Sequence, residues 1–311
     1  LHKGFLKLAD LILGSGIIGC IAKFLHPDSI FIPFKKSRYY TFDFPLADNF
    51  IVYSEDIDDF MVNMSPKNKM KIFFKSALSF EGQLLEGDEK IKEIYLKKLY
   101  DDHFQEYAPK LITTAFSVYP ITAIELYSQL QKQQVDNINT SINELGDLVK
   151  IDVKQKMIIF KETKREYDRI ISTIPLNALL SFCGMNLSLK SKDVCYYRIT
   201  SEKVDLEGRQ SCFVADEFIE FFKVVELDKH MHMFWTFDKI ENPYQYFGSF
   251  LTHNIGIEEC QRIEGAIPIG EKPDLSELEG YGIYCVGSNA QHDDFMDISS
   301  CIKRLLRLRN K

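Results

Sequence analysis

The spacing of apolar positions changes several times along the chain, and each change predicts an element. Ala9 to Leu13 is a short continuous apolar run, as expected of a buried strand. Ile17 to Leu25 has helical length and apolar positions, and His26-Pro27-Asp28 stops it. Ser29-Ile30-Phe31-Ile32 predicts a second strand. From Ser65 to Leu111 the sequence turns charged and helix-favouring, as in Lys90-Ile91-Lys92-Glu93-Ile94-Tyr95-Leu96, and predicts an inserted helical lobe. Pro120 to Gln134 predicts another helix. Leu148 to Val153 and Met157 to Phe160 predict an edge hairpin, and Tyr167 to Leu176 a buried strand ended by a proline turn. Residues 194 to 264 are strand-rich and aromatic, which predicts a mostly antiparallel sheet. Gly282 to Ser288 predicts a strand ending in glycine, at Gly287. Asp297 to Arg309 predicts a closing helix, with Asp297 or Ser299 near its cap and basic residues in its last turns.

Composition narrows the partners. A chain of 311 residues with 45% hydrophobic content can bury one large core or two smaller ones. The 38 Lys and Arg against 45 Asp and Glu leave a net charge of -7, which argues against nucleic acid as a partner while allowing a local basic pocket. Seven scattered cysteines without a Cys-x-x-Cys pair signal neither zinc nor a disulfide framework and fit a reducing, cytoplasmic setting. No apolar run reaches the roughly 20 residues of a membrane span. Leu1 in place of a starting Met reads as a trimmed N-terminus.

The first strand runs directly into Gly14-Ser15-Gly16-Ile17-Ile18-Gly19. This spacing alone is weak, but strand, glycine turn, helix and second strand in that order are the context a nucleotide cradle needs. Glycines permit a tight turn and close backbone approach, and the helix N-terminus offers unpaired N–H groups to a pyrophosphate.

Four separated pieces then line up: Leu11 to Gly19; Tyr119-Pro120 before a helix; Tyr167-Asp168-Arg169-Ile170-Ile171-Ser172-Thr173-Ile174-Pro175-Leu176; and Val286-Gly287-Ser288-Asn289-Ala290-Gln291 followed by Met296-Asp297-Ile298. In these the chain resembles the flavoprotein superfamily of FAD-dependent amine oxidases, protoporphyrinogen oxidases and UDP-galactopyranose mutases. The resemblance implies an α/β fold: a discontinuous Rossmann-like FAD-binding domain (1–50, 135–180 and 265–311), a helical lobe (51–134) and an antiparallel-sheet substrate domain (181–264). It implies FAD as cofactor, held by Gly14, Ser15, Gly16, Ile17, Ile18 and Gly19 at the pyrophosphate. Ile142 would lie at the adenine and Gly287 and Ser288 beside the ribityl phosphate, and Thr173 and Pro175 would be further cofactor contacts. Asp297 and Ile298 would turn backbone N–H groups toward the flavin pyrimidine ring. The chain departs from the pattern after the second strand. Lys35-Lys36-Ser37-Arg38 stands where an acid normally takes the ribose hydroxyls, so these residues are candidate phosphate contacts, and a 2′-phosphorylated nucleotide, weakened FAD binding or a lost cofactor are the alternatives. The paired glycines that usually follow are absent, and Ser288 replaces the usual Arg.

The flavin would carry the redox chemistry, so no catalytic triad is required. The resemblance implies oxidation of an amine or amino-acid-like group at its C–N bond, with hydride passing to the flavin N5. The alternatives are a non-redox flavoenzyme, such as a sugar-nucleotide mutase or lyase, and a degenerate flavoprotein fold kept as a binding subunit. Lys223, in Phe221-Phe222-Lys223-Val224-Val225-Glu226, matches a sheet segment that carries a basic residue near the flavin; its alternative is a solvated strand lysine. Arg198 is a candidate for a substrate carboxylate or phosphate, and Gln291, His292 and Asp293 for substrate contact beside the closing turn. Tyr196, Tyr197, Phe222, Phe234 and Trp235 could sandwich an amine, with core packing as the alternative. His230 and His232 would share a strand face, but no third ligand is spaced to complete a metal site, and no metal is expected. The short helical lobe implies either a larger amine-bearing substrate reaching an open cleft or a second chain, a copy or a partner, covering it.

Overall fold

The computed structural model describes residues 9–32, 50–65, 67, 70, 72–85, 88–106, 115–123, 125–132, 148–201, 206, 210–228, 230–248, 251, 255–292 and 297–310. The chain opens as β1 (Ala9–Leu13), α1 (Ile17–Leu25) and β2 (Ile30–Ile32), with the two strands parallel. It continues through β3 (Phe50–Val52), α2 (Asp58–Met64), β4 (Ile72–Phe80), β5 (Gln83–Leu85), α3 (Glu89–Tyr100), β6 (Ala115–Thr122) and α4 (125–132). Then come β7 (Leu148–Asp152), β8 (Met157–Phe160), β9 (Lys164–Ser172) and α5 (Leu176–Cys183). The remainder is β10 (Lys190–Thr200), β11 (Ser211–Val214), β12 (Phe221–Asp228), β13 (Met231–Thr236), α6 (Pro243–Gly248), β14 (Gly256–Ile269), α7 (Ser276–Gly280), β15 (Ile283–Cys285), α8 (Ser288–Gln291) and α9 (Ile298–Arg309).

Two sheets result. In the first, β2-β1-β9 run parallel and β15 joins β9 in parallel, while the front half of β9 pairs antiparallel with β8 and through it with β7. Strand alternation divides its side chains between two cores. Ile12 and Ile171 face α1 and α9 through Cys20, Ile21, Ile302 and Leu305. Leu11, Leu13 and Ile170 face the β7–β8 hairpin and α5 through Ile151, Ile158 and Leu179. A sheet covered on both faces explains why β1 and β9 read as continuous apolar runs. Chain segments far apart in sequence build this unit, which is the expected discontinuous Rossmann-like arrangement.

The second sheet has the order β14-β10-β13-β12-β11-β4-β6-β3, with β5 on β4, and every junction is antiparallel except β11 with β4. Here one expectation is corrected. The 51–134 stretch is not a helical lobe: it contributes β3, β4, β5 and β6 to this sheet and keeps helix in α2, α3 and α4. Charged helical sequence does form α3 at 89–100, but pairing of β4 with β6 and β11 extends the chain at Ile72–Phe80, where local propensity yields to tertiary pairing. The helix expected from Pro120 begins only after Thr122, because Pro120 still belongs to β6. β14 also runs through residue 264 to Ile269, so the antiparallel sheet extends past the expected boundary.

Candidate functional site

Three loops meet at the carboxyl ends of parallel strands, each emerging from a different one: Gly14 after β1, Thr173 after β9 and Gly287 after β15. Backbone hydrogen bonds stitch them along that edge. Gly14 N–H donates to the Ile32 carbonyl at 3.0 Å, Thr173 N–H and Oγ1 donate to the Leu13 carbonyl at 2.8 and 2.9 Å, and Val286 N–H donates to the Ser172 carbonyl at 2.9 Å. In open α/β sheets this edge is where ligands bind.

The glycines have separate reasons. Gly14 adopts φ +103°, and a Cβ there would lie 2.4 Å from Thr173 Oγ1. A Cβ on Gly19 would lie 1.9 Å from the Gly14 carbonyl oxygen, so α1 can seat against the turn only without a side chain. Gly16 is exposed, and nothing lies within 4 Å of where its Cβ would stand, which leaves open space over the start of α1. The first turn of α1 carries no acidic residue, so its N-terminal dipole is left for an anion. Ser15 and Ile17 are buried in the same turn, and Ile18 Cγ1 lies 4.0 Å from a Cβ placed on Gly287. The structure therefore brings Gly14, Ser15, Gly16, Ile17, Ile18, Gly19, Thr173 and Gly287 together. Pro175 caps α5 one residue beyond Ile174, whose Cγ2 lies 3.1 Å from a Gly14 Cβ. Ser288 opens α8.

Asp297 caps α9, accepting from Ser300 N–H at 2.7 Å, and Ile298 packs against the core shared by α1 and α9. Gln291 closes α8 fully buried, with Nε2 lacking a hydrogen-bond partner; a buried donor in that state calls for a group to satisfy it. His292 faces the Ile269 carbonyl from Nε2 at 3.2 Å. Lys35, Lys36, Ser37, Arg38 and Ile142 lie outside the described residues, as do Asp293 and Met296.

The basic candidates lie on the second sheet. Tyr196, Trp235 and Lys223 stand in register across β10, β13 and β12, and Arg198, Met233 and Val225 form the next same-face row. Lys223 and Arg198 thus share one face, with the Lys223 ammonium 5.3 Å from the Trp235 ring centre. Tyr197 and Phe234 point to the opposite face and into the core under α6, so of their two readings it is core packing that describes them. Phe222 stacks on Phe237 in the core beneath α3. His230 sits in the turn before β13 while His232 is buried within that strand, so the two do not form a shared strand face. Among the described residues no three His, Cys, Asp or Glu side chains cluster as metal ligands.

One residue at the glycine turn escaped the sequence reading. Tyr127 of α4 donates its hydroxyl to the Ser15 carbonyl at 3.0 Å, and the Cys20 thiol approaches the same oxygen at 3.7 Å. Burial pushes the Cys20 pKa up to about 12, so it stays a thiol. A signal for Tyr127 was present in Thr122-Ala123-Ile124-Glu125. Thr122 Oγ1 accepts from Glu125 N–H at 3.3 Å and Glu125 accepts from Thr122 N–H at 2.8 Å, a capping box that fixes where α4 starts and so which way it presents Tyr127.

No family model matches the chain, and no curated protein matches it. Solved structures do. A reduced UDP-galactopyranose mutase superposes with TM-score 0.66 at 12% identity, over 98% of this chain and 93% of that one. A fatty acid isomerase from P. acnes gives 0.65 at 10% identity over 98% of each chain, and glycine oxidase from Bacillus cereus gives 0.53 at 13% over 98% and 95%. The chain shares with these structures an α/β fold with a discontinuous Rossmann-like unit and a separate, largely antiparallel sheet.

Proposed function

We propose that this chain is an FAD-dependent oxidoreductase of the amine oxidase type, acting on the C–N bond of an amine or amino-acid-like substrate. The observation that carries the cofactor is the convergence of the Gly14, Thr173 and Gly287 loops around the exposed, unobstructed Gly16 at the start of α1. In this reading Gly14 to Gly19 hold the pyrophosphate, Lys35, Lys36 and Arg38 supply cations near a phosphate, Ile142 contacts adenine, and Gly287, Ser288, Asp297 and Ile298 border the flavin. FAD supplies the two-electron acceptor when bound. Arg198 would hold a substrate carboxylate, Tyr196 and Trp235 would flank its amine cation, Lys223 would orient an anionic group or water, and Gln291 would donate its unpartnered N–H. No disulfide joins the seven cysteines, six of which are buried, and this supports placing the protein in a reducing compartment such as the cytoplasm. A second copy or partner chain would close the cleft over the substrate.

Reconstitution tests the reading. The protein incubated with excess FAD and desalted is expected to retain flavin absorbance, which amines or amino acids bleach without oxygen, with peroxide and an imine-derived carbonyl appearing in air. Protein that stays colourless overturns the cofactor. Turnover that needs reduced flavin and produces no net oxidation replaces the amine oxidase reading with a mutase or isomerase.

A further inference from the structure

We infer that Tyr127 is a positioning residue that orients the Ser15–Gly16 peptide so that its N–H faces a bound pyrophosphate; this deepens the cofactor reading and rests on it. The argument starts from one carbonyl. The Ser15 oxygen accepts the Tyr127 hydroxyl at 3.0 Å and is approached by the Cys20 thiol at 3.7 Å, so two groups draw it toward the protein interior. A trans peptide is planar and sets its C=O and N–H in opposite directions, and the described residues contain no cis peptide. Holding the Ser15 carbonyl inward therefore turns the Gly16 N–H outward. Gly16 is itself exposed, and a Cβ on it would meet nothing within 4 Å, so the turn is open at this residue. Were the peptide flipped, a carbonyl oxygen would face the phosphates and repel them, so the choice between the two orientations is a choice between binding and rejecting an anion.

The hydroxyl reaches this carbonyl from a distant part of the chain. Tyr127 lies 112 residues from Ser15 and rides on a helix whose start the Thr122–Glu125 capping box fixes, while Leu126 and Leu130 of the same helix are buried against α1 and α9. The ring packs at the edge of that same core. Packing thus holds α4 whether or not the hydroxyl is present, which separates the orienting role from a structural one.

The experiment compares wild type with Tyr127→Phe in binding FAD and ADP, which share the pyrophosphate, and riboflavin, which lacks it. Loss of one neutral hydrogen bond is expected to weaken FAD and ADP by about three- to tenfold each. The melting temperature of the apoprotein and any riboflavin affinity should remain close to wild type. Equal FAD and ADP affinity in the two proteins overturns the inference, as does an equal loss for riboflavin. If wild type binds ADP but not FAD, the cofactor reading fails while the ADP comparison still decides Tyr127. Binding of neither nucleotide overturns both. Should Tyr127→Phe not fold, 3-fluorotyrosine at position 127 gives a fluorine resonance that must shift when ADP binds; a resonance that stays put overturns the role.

Discussion

Gly19 shows how much a single position can dictate. Its neighbour across the turn is the Gly14 carbonyl oxygen, a backbone atom that cannot rotate aside, and a methyl group placed there would lie 1.9 Å from it. Gly19→Ala must push α1 away from β1. We expect a loss of at least about 2 kcal/mol in denaturant melts, together with loss of FAD uptake. Gly16→Ala meets no obstacle within 4 Å and should fold normally, with any defect confined to nucleotide binding. Comparing the two by melting and flavin retention separates packing from ligand contact. The glycine motif was legible as a motif, but the different jobs of its three glycines were not, since spacing says nothing about which atoms approach.

At the scale of elements, the end of α1 carries a pH dependence. His26 is buried where α1 stops, beside α9, with Nε2 unpartnered. Burial lowers its pKa below the usual 6.5, the nearby Arg169 cation lowers it further, and the Leu305 carbonyl and Asp10 oppose them. The unfolded chain therefore takes up a proton near pH 6.5 that the folded chain refuses. His26 costs no stability through its charge above that pH, and stability falls as the solution is acidified from 6.5 toward the folded pKa. Urea melts between pH 7.5 and 5 should show wild type losing more stability than His26→Gln; parallel slopes would refute the assignment. The stop at His26-Pro27-Asp28 was readable in the sequence. The companion helix was readable too, but not that it would cover this imidazole. Lys98 repeats the lesson: its ammonium, on α3, lies 2.6 to 3.1 Å from the carbonyls of Val214, Asp216, Ile219 and Phe221 and so organises the turn between β11 and β12.

For the molecule as a whole, Arg169 shows how scattered segments become one unit. From β9 its guanidinium pairs with Asp10 at β1 and donates to the Leu308 carbonyl near the end of α9, joining parts of the chain 159 and 139 residues away. The pair is about three-quarters buried or more. Arg169→Leu leaves a partly buried carboxylate and a carbonyl without their donor and is expected to cost about 1–3 kcal/mol, read as a lower melting temperature with a single transition. Asp10→Asn, which keeps an acceptor, should cost less; equal losses would mean that the Leu308 contact contributes nothing.

The sequence by itself determined the Rossmann-like unit. Strands buried on both faces, a glycine turn and a capped closing helix leave signatures within a few residues of one another, because their causes are local sterics, apolar runs and capping. It also determined that Lys223 and Arg198 stand in strands. Only the tertiary structure decided that 51–134 joins the large sheet, that Tyr197 and Phe234 turn into its core while Tyr196 and Trp235 share a face with the two cations, and that Tyr127 reaches Ser15. Strand pairing and side-chain facing depend on partners more than a hundred residues away, and no local pattern encodes which of two sheet faces a partner will cover.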